Sequence, residues 1–152
     1  MEPAIPIVPR LAIFDLDGVV YRGDRPIRGA SALVGAVHER GIWVRFATNN
    51  SIATRAEYAD RLTGMGIPAT ADEVVTSTSA TIEHLRAHMP EVRRVLAVGA
   101  PGMIAELRGA GFVVTPVAEA APRQYSGGSL PARHDAVVCG LDREIDYRRI
   151  AV

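Results

Sequence analysis

The sequence has no lysine, one cysteine, few aromatic residues and no excess charge of either sign. All 17 basic residues are arginines, and 17 aspartates and glutamates balance them, so the formal net charge is zero. A neutral chain offers no positive field for a polyphosphate backbone, and we expect no nucleic-acid partner. Cys139 has no second cysteine to pair with; we therefore expect a reducing, cytoplasmic location.

Long apolar runs are also missing. The longest nearly uncharged stretch, residues 95–105, contains Gly99, Pro101 and Gly102, and it is well short of the ~20 apolar residues that span a bilayer. We expect neither a membrane segment nor a membrane partner. Hydrophobic residues nevertheless make up 48% of the 152 residues, which is ordinary for a globular protein with its own core.

Short apolar segments alternate with helical patterns along the chain. Leu11–Phe14 is typical of a strand buried on both faces. Further strands are predicted at residues 42–47, 74–76, 95–98, 112–114 and 136–139, helices begin near Ala30, Thr54, Ser77 and Pro101, and a loop runs from Pro116 to His134. Thr54 and Glu57 form a capping box, and residues 77–79 can cap the third helix. This alternation predicts an α/β fold with a parallel sheet.

Two carboxylates and a glycine follow the first predicted strand directly: Asp15, Asp17 and Gly18. In open parallel sheets, ligands bind at the carboxyl ends of the strands. A two-residue spacing in extended backbone directs both carboxylates to one side, while Gly18 permits a sharp turn and a close approach of backbone amides to an anion. The pattern therefore indicates a site for a metal and a phosphate.

A phosphate group can approach these carboxylates closely only if a cation offsets the repulsion between their negative charges. An aspartate anion about 4 Å from a phosphate dianion, at an effective dielectric constant near 20, is repelled by on the order of 8 kcal/mol. A hard cation held by carboxylates, water and phosphate oxygens removes that penalty, and Mg²⁺ is the usual ion of this kind. A calcium-binding EF-hand is excluded, because aligning Gly18 with the glycine of that loop places Ile13 at the first ligand position.

The second predicted strand ends in Thr48, Asn49, Asn50 and Ser51. Their hydroxyl and amide groups are neutral donors suited to phosphate oxygens. Taken alone, this segment is explained equally well as a polar turn that caps the next helix. Two polar strand ends at one edge of a sheet favour a site.

Two other groups of residues have simpler interpretations. His84 and His88 lie four residues apart on a predicted helix, but no third metal ligand accompanies them, and an exposed helix surface is the favoured interpretation. Cys139 lies in a predicted strand, where we expect a small buried residue rather than a nucleophile.

The two polar strand ends belong to motifs that together resemble a known family. These motifs are Phe14-Asp15-Leu16-Asp17-Gly18-Val19 and Ala47-Thr48-Asn49-Asn50-Ser51, with shorter matches at Tyr21-Arg22-Gly23-Asp24, Thr54-Arg55 and Val138-Cys139-Gly140-Leu141-Asp142. The chain resembles the haloacid dehalogenase superfamily, in its NagD-like, p-nitrophenyl-phosphatase branch. The resemblance implies the first half of a Rossmann-like core over residues 1–90, followed by the beginning of an α/β cap domain over residues 91–152.

The same resemblance implies an Mg²⁺-dependent phosphatase of small phosphorylated metabolites. Asp15 would be the nucleophile that forms an aspartyl-phosphate, and Asp17 would protonate the leaving oxygen and then activate water. The Asp15 side chain and the Asp17 backbone carbonyl would bind Mg²⁺. The substrate-binding residues implied are Gly18, Thr48, Asn49 and Asn50.

Part of the family pattern is missing from this sequence. Members of the branch are about twice this long, and their third motif supplies a lysine, which this chain lacks altogether. The Gly-Asp pair and further aspartate of their fourth motif have no match after Gly111. The first strand would lack the neighbours that the missing half supplies, so its exposed ladder groups favour association. We expect a homo-oligomer, an aggregation-prone chain or a rearranged one, and light scattering would show a monodisperse monomer if this is wrong.

Three functional hypotheses remain. The first is a phosphatase of this family that is weak or inactive without further polypeptide. The second is a noncatalytic relative that binds phosphorylated ligands or a protein. The third, a response-regulator-like receiver domain, lacks support because its lysine has no candidate here.

Overall fold

The computed structural model describes residues 9–120 and 133–151. The chain divides into two compact units, and each is described by itself. The first unit comprises the residues up to 48 together with residues 58–75, and the second comprises residues 49–57 and those from 76 onward. The assignment of residues 1–90 to a core and 91–152 to a cap stays a prediction.

Short strands and helices alternate through the described residues. In chain order the elements are β1 (Leu11–Asp15), β2 (Tyr21–Arg22), β3 (Arg25–Pro26), α1 (Ala30–Glu39), β4 (Trp43–Thr48), α2 (Arg55–Gly64), a 3-10 turn (Ala71–Glu73), β5 (Val74–Thr76), α3 (Ser77–His88), β6 (Arg94–Val98), α4 (Pro101–Gly109), β7 (Val113–Pro116), β8 (Ala136–Cys139) and α5 (Tyr147–Ile150). The expected mixed α/β architecture with parallel strands is confirmed.

The first unit is built on a sheet with the strand order β1-β4-β5. β1 and β4 run parallel, and their register pairs Leu11 with Trp43 and Asp15 with Ala47. One face of this sheet is buried: Val44 and Phe46 of β4 are at most 1% exposed. Helix α1 packs against β4, so the two parallel strands and this helix form the apolar core beneath the carboxyl ends of β1 and β4.

The opposite face of the same sheet is open, which corrects the expectation that β1 is buried on both faces. Ile13 is 64% exposed and Trp43 is 66% exposed. Within the described residues β1 pairs only with β4, so β1 is an edge strand and only one face of the small sheet is covered. A continuous apolar run predicts burial on both faces, but whether both are covered depends on neighbours that the run does not contain.

The second unit has a parallel sheet with the order β7-β6-β8. Its apolar core includes Ile82 and Leu85 of α3, Val95 of β6, and Met103 and Leu107 of α4.

In the second unit, Gly102 of α4 lies against the segment 49–57. A Cβ atom at Gly102 would come within 2.3 Å of the backbone oxygen of Ile52, which is too close for any residue but glycine. This close approach ties the polar segment after β4 to the second unit.

Most predicted elements are present, with small shifts at their ends. The strands predicted at 74–76 and 136–139 match β5 and β8, and the capping box is formed, with the Glu57 amide donating to Thr54 Oγ1 over 3.2 Å and the Thr54 amide donating to Glu57 Oε2 over 2.7 Å. The cap of α3 is Thr76 rather than residues 77–79.

Two expectations in the C-terminal part are corrected or remain open. Cys139 lies in β8 as expected, but it is exposed rather than buried, because strand alternation sends Val138 into the core and Cys139 to the other face. Of the loop predicted from Pro116 to His134, Pro116 instead ends β7 and residues 117–120 are helical, while residues 121–132 lie outside the described part of the chain. No helix in residues 9–120 or 133–151 is long and apolar enough to cross a membrane.

Glu73 connects the 3-10 turn to α1 and supports a pH prediction. Its carboxylate lies 2.8 Å from the His38 ring and accepts a hydrogen bond from the Thr70 amide. Burial raises the pKa of Glu73, but the hydrogen bonds from His38 and Thr70 outweigh it and hold the pKa below its ordinary value. A depressed carboxyl pKa stabilises the fold above the unfolded-state pKa, and this contribution is lost as the pH falls through the folded-state pKa.

Glu73→Gln is therefore expected to lower the free energy of unfolding by about 1–2 kcal/mol at pH 7. The difference from the unmodified protein should shrink as the pH falls through the folded-state pKa of Glu73. Urea unfolding at several pH values measures this. Asp72→Asn, at an exposed carboxylate one residue away, is the control. A pH-independent difference would contradict the prediction.

Candidate active site

Two exposed carboxylates stand at the carboxyl end of β1. Asp15 is the last residue of β1 and is opposite Ala47 of β4, so it shares an edge of the sheet with Thr48, the last residue of β4. Asp17 follows two residues later and is also exposed, while Leu16 between them is fully buried. The buried Leu16 fixes the backbone between the two carboxylates. With the two-residue spacing seen in the sequence, both carboxylates are exposed at this edge of the sheet.

The loop after Asp15 is held by its own backbone. The carbonyl oxygen of Leu16 accepts hydrogen bonds from the amides of Val20 and Tyr21, and the Gly18 amide donates to the Tyr21 carbonyl oxygen over 2.7 Å. Gly18 has a φ of 88°, in the left-handed region that favours glycine. Because its amide already has an acceptor, Gly18 forms the turn, and its contact with substrate stays a prediction.

The charges around this loop affect the pKa of the Tyr21 phenol. The Tyr21 side chain is buried. Burial raises the pKa of the Tyr21 phenol, the positive charge of Arg61 lowers it, and the negative charges of Asp17 and Asp15 raise it again. Both carboxylates therefore raise the pKa of the same phenol.

Asp15 and Asp17 fit a partial ligand shell for Mg²⁺, to which Asp15 would contribute its carboxylate and Asp17 its backbone carbonyl. Within the described part of the chain, neither the Asp15 nor the Asp17 side chain forms a hydrogen bond or an ion pair, and both residues are exposed. Mg²⁺ is commonly bound through one or two carboxylates, with water and substrate phosphate oxygens completing its octahedron. Residues 9–120 and 133–151 contain no group of three or more histidine, cysteine, aspartate or glutamate side chains that could hold a metal, so the described residues offer only part of a ligand shell.

The polar residues after β4 are divided between the two units. Thr48 ends β4 in the first unit, next to β1. Asn49 and Asn50 follow in the chain but belong to the second unit, where the Asn49 carbonyl oxygen accepts a hydrogen bond from Ser77 Oγ and the Asn50 side chain accepts one from the Ile52 amide. The substrate-binding roles of Thr48, Asn49 and Asn50 stay predictions.

A two-stranded hairpin follows the acidic loop and was not predicted. β2 and β3 pair Tyr21 with Pro26 and Arg22 with Arg25, leaving Gly23-Asp24 as a two-residue turn. Gly-Asp between two short segments is a hairpin signal, so the sequence contained enough information to predict this hairpin. Arg61 of α2 binds this hairpin, and no local pattern marks a lone arginine on a helix for that role.

The histidine pair on α3 lies on an exposed helix face, as expected. The rings of His84 and His88 stack with their centroids 4.6 Å apart, and both residues are exposed. This pair is distinct from the acidic loop, which belongs to the first unit.

Comparison with known sequences gives a consistent family. The sequence model of the family described as haloacid dehalogenase-like hydrolase matches residues 12–113, which include β1, the acidic loop, the hairpin and β4. Phosphoglycolate phosphatase 2 of Arabidopsis thaliana is 34% identical over 146 residues, covering 91% of this chain and 48% of that protein. The chain thus spans about half the length of the curated relatives it matches.

Solved structures agree in fold. The p-nitrophenyl phosphatase from Archaeoglobus fulgidus is similar with a TM-score of 0.77 at 26% identity, covering 94% of this chain and 49% of that one. The glycerol phosphate phosphatase from Mycobacterium tuberculosis, solved in complex with magnesium, is similar with a TM-score of 0.70 at 33% identity, covering 93% of this chain and 38% of that one. With the family match over more than half of its residues, the chain belongs to the haloacid dehalogenase-like hydrolases.

Proposed function

We propose that this chain carries the nucleophilic half of an Mg²⁺-dependent phosphatase that hydrolyses small phosphomonoesters through an aspartyl-phosphate. The observation that carries the proposal is the pair of exposed carboxylates at the end of β1, without partners in the described part of the chain and beside the end of β4. An unpaired carboxylate is free to act as a nucleophile, and a second one nearby can move protons.

The two carboxylates have different roles in the proposed reaction. An Asp15 oxygen attacks phosphorus and forms the O–P bond of the aspartyl-phosphate, while the bond from phosphorus to the leaving oxygen breaks. Asp17 gives a proton to the leaving oxygen. Asp17 then accepts a proton from water, whose oxygen attacks phosphorus, so that phosphate leaves and the Asp15 carboxylate is restored.

Mg²⁺ at these carboxylates would offset the repulsion between Asp15 and the phosphate. Asp15 would hold it through its side chain and Asp17 through its backbone carbonyl. Thr48, Asn49 and Asn50 would donate to phosphate oxygens, and Gly18 would form the turn that follows Asp17. A hydroxyl and amides suit this task because they donate hydrogen bonds without adding negative charge.

The complete activity requires groups beyond this chain. It has no lysine, and phosphate-monoester hydrolysis needs accelerations approaching ~10²¹-fold. We propose that residues 1–90 contribute the first half of a core, that residues 91–152 begin a cap, and that the missing cation and metal ligands come from further polypeptide. The alternative is a noncatalytic module that binds a phosphorylated ligand or a protein. The one observation that favours it is the absence of lysine.

The chemistry of the relatives' substrates supports a proposal for the substrate class. They include phosphatases of phosphoglycolate, glycerol phosphate and p-nitrophenyl phosphate, all of which are small phosphomonoesters. We propose a small phosphorylated metabolite as substrate and a cytoplasmic location, which the single unpaired cysteine supports.

Phosphate release from p-nitrophenyl phosphate tests the proposal. The 152-residue chain, with Mg²⁺ and with EDTA, is expected to release phosphate barely above the uncatalysed rate. A fusion of this chain to the remaining half of phosphoglycolate phosphatase 2 is expected to release it in an Mg²⁺-dependent manner. A folded fusion without activity would favour the noncatalytic module instead. Activity of the chain alone that EDTA removes would show that the missing groups are dispensable.

A further inference from the structure

The acidic loop and the hairpin that follows it share one residue, Tyr21. Its backbone closes the loop, because its amide donates to the Leu16 carbonyl oxygen over 3.1 Å and its carbonyl oxygen accepts from the Gly18 amide over 2.7 Å. Asp17 also forms an isolated bridge with Tyr21. The position of the Asp17 backbone is thus set by where Tyr21 is held.

The hairpin is too short to hold Tyr21 by itself. β2 and β3 contain two residues each, and only two residue pairs link them. Two-stranded hairpins are marginally stable even when longer than this. An anchor from another element is therefore needed, and the buried Tyr21 ring is one part of it.

Arg61, on the last turn of α2, supplies the other part. Its guanidinium carbon lies 4.6 Å from the centroid of the Tyr21 ring, and one nitrogen donates to the Gly23 carbonyl oxygen over 2.8 Å and to Asp24 over 3.1 Å. One side chain therefore contacts both the aromatic ring that begins the hairpin and the turn that joins its two strands. The next residue on α2, Leu62, is fully buried, which fixes the helix from which Arg61 extends.

We propose that Arg61 is a positioning residue for Asp17, acting through Tyr21 and the β2–β3 hairpin. This inference rests on the proposed function, in which Asp17 moves the proton. Arg61 keeps the Tyr21 backbone in place, the Tyr21 backbone keeps the loop closed, and the closed loop keeps the Asp17 carboxylate beside the nucleophile.

Arg61 holds the hairpin through its contacts with the Tyr21 ring and the Gly23 carbonyl oxygen, and its ion pair with Asp24 contributes little. Asp24 is almost fully exposed, with 99% of its side chain accessible, and exposed ion pairs are weak. Stacking on an aromatic ring with a hydrogen bond to a backbone oxygen requires the planar, multiply donating guanidinium, which lysine does not have. Arg61→Lys should therefore restore only part of the effect, and Asp24→Ala should change little.

Amide hydrogen exchange in the 152-residue chain tests the inference without activity. In Arg61→Ala, the Gly18 amide is expected to exchange at least tenfold faster, while β4 amides such as that of Phe46 keep their rates. Arg86→Ala is the matched control, since Arg86 also donates to a backbone carbonyl oxygen and pairs with an exposed glutamate. Unchanged Gly18 exchange, or equal acceleration of Gly18 and Phe46, overturns the inference. If Arg61→Ala does not fold, Arg61→Lys is measured by the same criterion.

Kinetics of the fusion protein separates this inference from the proposed function. Arg61→Ala is expected to lower kcat at least tenfold with little change in KM, with partial recovery in Arg61→Lys and none of this loss in Asp24→Ala. A fusion that is inactive before substitution contradicts the proposed function and leaves the exchange result to decide on loop positioning. An active fusion in which Arg61→Ala retains its kcat overturns the inference.

Discussion

Asp15→Asn is expected to lower phosphate release by about 10⁴-fold or more in the fusion protein that completes the fold, the size of loss that follows removal of a nucleophile in other hydrolases. Asparagine has nearly the same shape but has no carboxylate to attack phosphorus. It also removes one negative charge from the proposed Mg²⁺ ligands. The measurement is the rate of p-nitrophenyl phosphate hydrolysis at saturating Mg²⁺.

Stability separates a catalytic role of Asp15 from a structural one. Because Asp15 is exposed and has no partner in the described part of the chain, Asp15→Asn should leave the free energy of unfolding unchanged or slightly higher, since it relieves repulsion with Asp17. Asp60→Asn, at an exposed carboxylate of α2, is the matched control and should retain activity. Activity of Asp15→Asn within tenfold of the unmodified fusion would exclude Asp15 as the nucleophile.

The carboxylate edge could be predicted because its signals are local. The end of one strand at Asp15 and the end of a neighbouring strand at Thr48 can each be recognised from a few consecutive residues. Parallel pairing then brings the two strand ends together. Capping by Thr54 is local for the same reason. These features depend on backbone geometry within one turn or strand.

The anchoring of the hairpin by Arg61 could not be predicted in the same way. The hydrogen bond from Arg61 to Gly23 joins residues 38 positions apart, and the side chain is one of 17 arginines with no pattern to distinguish it. The prediction that β1 is buried on both faces was wrong for a related reason. An apolar run shows that its residues are apolar, but it does not show which elements cover each face. Tertiary neighbours decide both.

Phe46→Ala and Trp43→Ala are expected to differ by several kcal/mol, although both replace an aromatic residue of β4. Phe46 is fully buried, and its ring lies 6.1 Å from that of Phe14, so its removal should cost about 3–5 kcal/mol through lost burial and a cavity. Small domains have about 5–15 kcal/mol of stability in total, so Phe46→Ala should leave the protein close to unfolding.

Trp43 is on the open face, where its contact to Arg45 has the guanidinium carbon 5.8 Å from the ring centroid, and its removal should cost no more than about 1 kcal/mol. Urea unfolding followed by circular dichroism measures both variants, because Trp43 is the only tryptophan and fluorescence is lost with it. A cost for Trp43→Ala as large as that for Phe46→Ala would mean that the open face is covered in solution. Repeating the pair of measurements over a range of protein concentrations then tests whether a second copy covers it, since stabilisation by association rises with concentration and burial within one chain does not.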